Sequence, residues 1–557
     1  MTTNKEIANY FSLVSKLMEI HGENNFRAKT YSIAAYKIGQ LTVDLYTLSE
    51  EKIYQLNGIG ETIGKKIFEI ISTGKTKMLE ELISKTPEGI FEMLKIKGLG
   101  PKKIALIWKE MGIENVGELL YACNENRLML YKGFGKKTQD NVLESIEFYL
   151  SQQGNYLFAQ IENLATELET FLQKIFESRD IKISGDFVRH SETMDLLEFV
   201  IPFPINTITE KINPLDEFLF LESNDTSLTY QYNNGIKIKL HSVEHNNLFQ
   251  KIFELSGSPE FTNAFQIKFP DIEYYKVHNE EEIFKQVSIQ YIPHCLRESE
   301  NVITIAANHK IPELIQPCDI KSIIHCHSNW SDGSNSLEDL VIACKTSGKE
   351  FLVISDHSKS ATYANGLNEE RIRAQHQQID ELNKQLSPFK IFKSIESDIL
   401  GDGNLDYSDT VLSTFDLVIA SVHSNLKMTE DKAMMRLLNA IENPYTTILG
   451  HMTGRLLLSR KGYPVDHKTI IDACAAHNVV IEINAHPRRL DMRWQWLEYA
   501  LSKKVLVSID PDAHSIPEFE NTKYGVLVAQ KGMVTKENNL SSFSIDQFET
   551  FLLNRKK

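Results

Sequence analysis

The stretch His325-Cys326-His327-Ser328-Asn329-Trp330-Ser331-Asp332-Gly333 decides how the carboxy-terminal half is read. Side chains two apart on a strand point to one face, so His325 and His327 can share a metal ion. Asp332 follows after a turn. Working outward, more ligand-type residues stand at the ends of apolar runs. His357 follows Val353-Ile-Ser-Asp356, and Glu396 follows Lys393-Ser-Ile395. His423 follows Ala420-Ser-Val422, and His451 follows Ile448-Leu-Gly450. Asp512-Ala-His514 closes the series with a second pair at spacing two. Any one of these histidines alone reads as an ordinary hydrogen-bonded residue. Nine ligand-type side chains at strand ends are a different matter, because clustered polar groups are themselves a site criterion. Imidazole and carboxylate without thiolate suit Zn2+, Mn2+ or Fe2+. Two or three such divalent ions would activate water near neutral pH and clamp both oxygens of an in-line displacement at phosphorus.

The runs carrying these residues include Phe351-Leu-Val-Ile-Ser355, Leu417-Val-Ile-Ala-Ser-Val422, Val479-Val-Ile-Glu-Ile483 and Val505-Leu-Val-Ser-Ile509. Fully apolar runs between helical stretches indicate buried parallel strands, hence a β/α barrel or a doubly wound sheet. Barrel enzymes place their chemistry where such strands end. The chain has 557 residues, enough for three or four domains. Hydrophobic residues make up 42% and charged residues 24%, the profile of a globular protein. The opening Met1-Thr-Thr-Asn-Lys-Glu6 lacks an apolar core behind a basic patch. No apolar run is long enough to cross a bilayer, so a cytoplasmic protein with no membrane partner is expected, and a monomer. Six scattered cysteines without a C-x-x-C pair exclude a disulfide framework or thiolate zinc knuckle. A net charge of -15 excludes a basic nucleic-acid coat but leaves local patches free to bind DNA.

The nine ligand-type residues closely resemble the PHP domain, named for polymerase and histidinol phosphatase. That resemblance implies a distorted (β/α)7 barrel and a trinuclear cluster held by His325, His327, Asp332, His357, Glu396, His423, His451, Asp512 and His514. Gly450-His-Met-Thr-Gly-Arg455 and Ala485-His-Pro-Arg-Arg-Leu-Asp491 look like segments of the same family. Arg455 and Arg489 are then candidates to clamp a phosphate, since a guanidinium meets its oxygens bidentately; a surface ion pair is the plain alternative for each.

Three glycine turns recur near the start: Leu56-Asn-Gly-Ile-Gly60, Leu94-Lys-Ile-Lys-Gly-Leu-Gly100 and Tyr131-Lys-Gly-Phe-Gly135. A Gly-x-Gly turn between helices exposes backbone N–H groups at a helix start, which is a phosphate site. Candidate DNA contacts are Gly58, Gly60, Lys65, Gly98, Gly100, Lys102, Lys103, Gly133, Gly135 and Lys136. Such contacts read backbone and not sequence. The order of hairpins resembles the lyase and fingers domains of family X DNA polymerases, and Phe26-Arg-Ala-Lys-Thr-Tyr-Ser-Ile-Ala-Ala-Tyr36 fits the first of these. In that family a lysine after the first hairpin forms a Schiff base with an abasic sugar. Lys66 falls there, and a neighbouring positive charge such as Lys65 would help by lowering its pKa; a lysine that only touches phosphate is the alternative.

The middle of the chain has short β-rich runs, Ile181-Lys-Ile-Ser184 and Ile236-Lys-Ile-Lys-Leu240. Ile183-Ser-Gly-Asp-Phe-Val-Arg-His-Ser-Glu-Thr-Met-Asp-Leu-Leu-Glu-Phe199 resembles the family X palm motif. In that alignment the motif serine becomes Asp186, and the three catalytic aspartates become Leu196, Glu198 and Lys239. Two-metal phosphoryl transfer needs those carboxylates. Asp195 is one residue off, so on a strand it faces the other way. The thumb keeps its start, Leu255-Ser-Gly-Ser258, and its end, Ile292-Pro-His-Cys-Leu-Arg-Glu298. The expected organisation is multidomain. Residues 1–80 form a lyase-like helix-hairpin-helix domain and 81–150 an all-α fingers-like domain. Residues 151–310 form a degenerate α+β nucleotidyltransferase-like palm and thumb, and 320–557 the PHP phosphoesterase barrel. The expected function is DNA repair by a metal-dependent 3′→5′ exonuclease that also cuts at abasic sites, acting on gapped, nicked or abasic DNA. Rival readings are an active polymerase using Glu198 or Asp195, a small-molecule phosphatase of the histidinol-phosphate kind, and a DNA-binding scaffold.

Overall fold

The computed structural model describes residues 3–555 apart from 57, 58, 125–127, 129, 130, 132, 152, 153, 234, 459 and 460. The chain divides into two compact units, Met1–Gln153 and Gly154–Lys557. The first is all helical among its described residues. Its opening helix Asn4–His21 is fixed at both ends: Thr3 and Glu6 form a reciprocal capping box, and Gly22 closes it at φ 75°. Small residues Ala28, Ala34 and Ala35 on the helix Asn25–Gly39 join Ile7, Phe11, Val14 and Leu17 in a common core, which lets the two helices approach closely.

The second unit opens on a five-stranded sheet. Its order is Lys182–Ser184, Leu196–Ile201, Lys237–Ser242, Ser227–Tyr232 and Phe218–Asn224. Leu197 and Phe199 point into the core while Leu196 and Glu198 face the opposite way, half-buried. Alternation along a strand produces that division. The strands Leu196–Ile201 and Lys237–Ser242 run parallel and set Glu198 directly beside Lys239. Four helices follow, Leu248–Leu255, Pro259–Lys268, Glu280–Gln286 and Asn301–Ala307. They enclose Arg297, which is fully buried between the rings of Phe253, Phe284 and Tyr291 and paired with Glu280 at 2.6 Å. Pairing of this kind compensates the cost of burying a guanidinium.

The rest of the unit is a barrel of seven parallel strands: Ser322–Ile323, Phe351–Ile354, Lys390–Asp398, Leu417–Ser421, Thr446–Leu449, Val480–Asn484 and Val507–Asp510. The apolar runs of the sequence are these strands, and their residues are buried throughout apart from Lys390 and Lys393. The seam closes where the first strand meets the last. Cys326 bridges Ala513 in parallel, with His327 N donating to Ala513 O at 2.8 Å and Ala513 N to His325 O at 3.2 Å. The two spacing-two pairs therefore stitch the barrel shut at its mouth. The fold class is multidomain, with all-α hairpins, an α+β palm and a distorted (β/α)7 barrel.

Candidate metal centre

Each ligand-type residue stands at or near the carboxyl end of a barrel strand, so six of the seven strands deliver ligand-type side chains to one mouth. Glu396 is the hub. Its carboxylate lies 3.2 Å from His325 Nε2, 2.9 Å from His357 Nδ1, 3.1 Å from His423 Nε2 and 3.0 Å from His451 Nε2. Asp512 Oδ1 lies 3.4 Å from His325 and 3.2 Å from His327, and Asp332 Oδ2 lies 3.5 Å from both His357 and His514. Three overlapping groups can each converge on one ion. They are His327, Asp332, His357 and His514; His325, His327 and Asp512; and His357, Glu396 and His423. The edge of a tetrahedral shell with ~2.1 Å bonds is ~3.4 Å, which these separations match. His451 joins through Glu396.

Two observations make the donor set fit divalent cations. His325 Nε2, His327 Nδ1, Glu396 Oε2 and His451 Nδ1 are buried and have no hydrogen-bond partner among the described residues. Buried polar atoms are otherwise nearly always satisfied. His325, His451 and Asp512 also hold positive φ, at 59°, 23° and 51°. Non-glycine residues keep that conformation only where the surroundings impose it, and such strain collects at functional sites.

A second ring of polar groups fixes the imidazoles. His325 Nδ1 meets Glu482 Oε1 at 2.5 Å, His423 Nδ1 meets Asp398 Oδ1 at 2.7 Å and His514 Nδ1 donates to the Asp512 carbonyl at 3.0 Å. Each bond turns the ring's Nε2 toward the centre, as metal-binding histidines require. Glu482 also accepts from His451 N at 2.6 Å, and Asn484 Nδ2 bridges Glu482 and Asp512. Asp356, buried beside His357 in sequence, accepts from Ser328, Ser331 and Gln375 and holds the turn that carries Asp332. Sequence reading missed Glu482, Asp398, Asp356 and Asn484. Their signal was present: Glu482 interrupts an apolar strand, and Asp398 lies two residues beyond Glu396 on the same face.

The electrostatics follow from this crowding. Burial pulls His357 down, but Glu396 and Asp332 outweigh it and hold its pKa at about 10. His423 and His514 are likewise raised to about 9 against burial, by Glu396 with Asp398 and by Asp332 with Asp512. His327 goes the other way, to about 3, from burial and the neighbouring His514 and His357. Burial disfavours the Glu396 carboxylate, yet His423, His325 and His357 hold it well below its ordinary range. A site that draws protons onto three imidazoles when bare is one that cations can displace.

The two clamp candidates part company. Arg489 Nε lies 3.5 Å from Asp512 Oδ2, beside the ligands. Arg455 is buried and committed elsewhere, with Nη2 2.6 Å from Glu192 of the palm and further bonds to the Arg489 and Leu490 carbonyls. These contacts weigh against the clamp reading of Arg455, whose Nε and Nη2 already meet protein acceptors.

In the helical unit, Gly60 and Gly100 are the N-caps of Glu61–Thr73 and Pro101–Lys109, and no side chain caps either helix. A side chain added at Gly60, Gly98, Gly100, Gly133 or Gly135 would meet only open space. These glycines are exposed. Gly98 and Gly133 need φ values of 88° and 99°, which glycine alone adopts freely. Gly58 lies outside the described residues. The lysines are less uniform: Lys102 and Lys136 are exposed, whereas Lys103 donates to Gly98 O at 3.1 Å and lies over the Phe134 ring. Lys65 pairs with Glu61 at 2.6 Å. That exposed pair sets a carboxylate beside the positive charge that the Schiff-base reading of half-buried Lys66 invokes.

On the palm, Glu198 hydrogen-bonds His241 at 2.9 Å and rests against Gly185, where an added side chain would fall 2.3 Å from its Oε2. Asp186 pairs with Arg189, which also reaches Glu298 and the Leu255 and Gly257 carbonyls. Among the described residues no metal-type grouping includes a palm side chain.

A helix-hairpin-helix unit and a barrel with this mouth define a class: a multidomain protein that combines DNA-binding-type hairpins with a candidate metal-binding barrel. Comparison with known proteins makes it particular. Residues 2–76 match the helix-hairpin-helix domain family and residues 90–147 the SAM-like helix-hairpin-helix tandem family. The chain is 32% identical to the DNA polymerase/3'-5' exonuclease PolX of Bacillus subtilis, over 98% of this chain and 99% of that one. It is 27% identical to a probable phosphatase of Vibrio parahaemolyticus, over 43% of this chain and 96% of that one. A probable phosphatase of Caldanaerobacter subterraneus is 31% identical over 18% of this chain and 39% of its own. This chain belongs to the bacterial family X DNA polymerases that carry a carboxy-terminal PHP domain. No helix among the described residues is long and apolar enough to cross a membrane.

Proposed function

We propose that this protein is a metal-dependent phosphodiesterase acting on DNA, a 3′→5′ exonuclease whose palm serves as scaffold. The carrying observation is the contrast between the two candidate centres. Eight of the nine donors fall into metal-type groups at the barrel mouth and His451 joins them through Glu396, while the palm offers Leu196, Glu198 bound to His241, and Lys239 in register beside it. One relative is named for both a DNA polymerase and a 3'-5' exonuclease and others for phosphatases, which supports the hydrolytic half of this reading.

His325, His327, Asp332, His357, Glu396, His423, His451, Asp512 and His514 would hold two or three divalent ions; Zn2+, Mn2+ and Fe2+ suit the donors. When bound, such ions supply a water of lowered pKa and neutralise charge at the phosphate. The chain's own residues do the rest. His514 and Asp332, 36% and 32% exposed, form the rim where a strand end would enter. Arg489 would reach a non-bridging phosphate oxygen from beside Asp512, as a guanidinium does well. Glu482, Asp398 and the Asp512 carbonyl hold the imidazoles in the required tautomer. The glycine amides and lysines of the hairpins would grip phosphates without reading bases, which suits gapped, nicked or abasic substrates and a repair role.

The test uses end-labelled DNA with His325→Ala and Asp512→Ala. Both variants should lose cleavage and keep DNA binding. Full nuclease activity in either one would sink the assignment.

A further inference from the structure

The palm meets the loops of the barrel mouth through the pair Glu192–Arg455. Arg455 stands four residues beyond His451, in the loop after the strand Thr446–Leu449. Its Nη2 lies 2.6 Å from Glu192 Oε1, with the two side chains 4% and 18% exposed. Its Nε donates to the Arg489 carbonyl at 2.9 Å, and Nη2 also donates to the Leu490 carbonyl. Leu490 holds φ 45°, a conformation that leucine rarely adopts and that its surroundings must impose. The same loop is pinned by Thr453, whose N and Oγ1 both donate to Asp491 Oδ2 at 2.9 Å. Arg489 then points its guanidinium to Asp512, 3.5 Å away. The path runs Glu192, Arg455, the backbone of 489–490, the Arg489 side chain, and the candidate ligand.

We propose that Glu192 is a positioning residue of the barrel site, acting through Arg455 to hold Arg489 where the scissile phosphate binds. The proposal rests on the hydrolytic reading above. A buried guanidinium without its carboxylate is uncompensated and moves toward water or another acceptor. The Arg489 and Leu490 carbonyls would then lose their donor, and the loop its imposed shape. Displacement of a positioning group by about 1 Å can cost roughly a hundredfold in rate. The palm thus has a task in this protein that involves no nucleotide addition, carried by a half-buried acid that faces the barrel.

The experiment uses the full-length protein with measured metal content, bis(p-nitrophenyl) phosphate as a small substrate, and an end-labelled oligonucleotide. Glu192→Gln should lower kcat on the small substrate at least tenfold, with metal content and hairpin-driven DNA affinity unchanged. Glu192→Asp should recover most of that loss. Arg455→Lys, which keeps the charge but lacks the fork, should reproduce Glu192→Gln and serves if that variant folds poorly. The decisive readout is coupling: in an Arg489→Ala background, Glu192→Gln should cost nothing further. Wild-type kcat in both Glu192→Gln and Arg455→Lys, or losses that add fully to Arg489→Ala, overturns the proposal. A wild-type protein no more active than His325→Ala overturns the hydrolytic reading instead, which is a separate outcome.

Discussion

Glu482→Gln isolates what the second ring contributes. Glu482 is completely buried and meets His325 Nδ1 at 2.5 Å, His451 N at 2.6 Å and Asn484 Nδ2 at 3.2 Å. Glutamine keeps the volume and one acceptor but removes the charge that makes His325 a strong donor. Its amide N–H can also donate to His325 Nδ1, leaving the proton on Nε2, where it blocks coordination. Loss of a second-ring partner costs roughly 10- to 100-fold in metal affinity, or about 1.4–2.8 kcal/mol. Two ligands depend on this carboxylate, so the upper part of that range is expected. The assay is competitive chelation of Mn2+ or Zn2+ by metal-stripped protein, with phosphodiesterase activity followed at limiting and saturating metal. Affinity should drop at least tenfold, and activity should recover substantially as metal is raised. Affinity within twofold of wild type would refute the view that Glu482 tunes this centre.

Metal-free protein should lose stability as pH rises from 7 to 10. His357, His423 and His514, held at about 10, 9 and 9 against an unfolded value near 6.5, stabilise fully below about pH 6.5 and cease to do so through those higher values. Urea melts of chelator-treated protein that stay flat or improve over that window would contradict the charges assigned. Template-directed extension by a His325→Ala variant should be undetectable with Mg2+ or Mn2+, because an ammonium at ~4 Å repels a unit charge by about 4 kcal/mol at an effective dielectric of ~20. Synthesis abolished by Glu198→Ala would show a working palm. DNA affinity should fall steeply with salt and ignore sequence, and residues 154–557 alone should bind far more weakly; equal binding by the truncated chain counts against the hairpins. Arg436→Lys should destabilise the second unit by about 3 kcal/mol in urea melts, since the buried guanidinium satisfies the Leu400, Ser424 and Ile399 carbonyls; a change under 1 kcal/mol would show those contacts are dispensable.

The amino-acid sequence by itself determined the buried parallel strands and the ligand-type residues at their ends. Parallel strands buried on both faces must be apolar throughout, so Phe351–Ile354 and Leu417–Ser421 announce themselves, and a ligand at a strand end stands out against that run. Hairpin turns were legible because Gly98 and Gly133 sit at backbone angles that few other residues tolerate. The tertiary structure alone decided which charged residues face one another. Arg455 and Arg489 look alike in sequence as loop arginines of the barrel, but folding gives Arg455 to Glu192, 263 residues away, and Arg489 to Asp512. Lys65 looked like a free charge until helix geometry placed Glu61 one turn before it. Glu482 and Asp398 escaped notice because a ligand's partner needs only a suitable atom within hydrogen-bond reach of the second ring nitrogen. Side-chain pattern along a strand encodes burial, which is a local property. Pairing between distant loops is set by where the strands end in space, and no local periodicity records it.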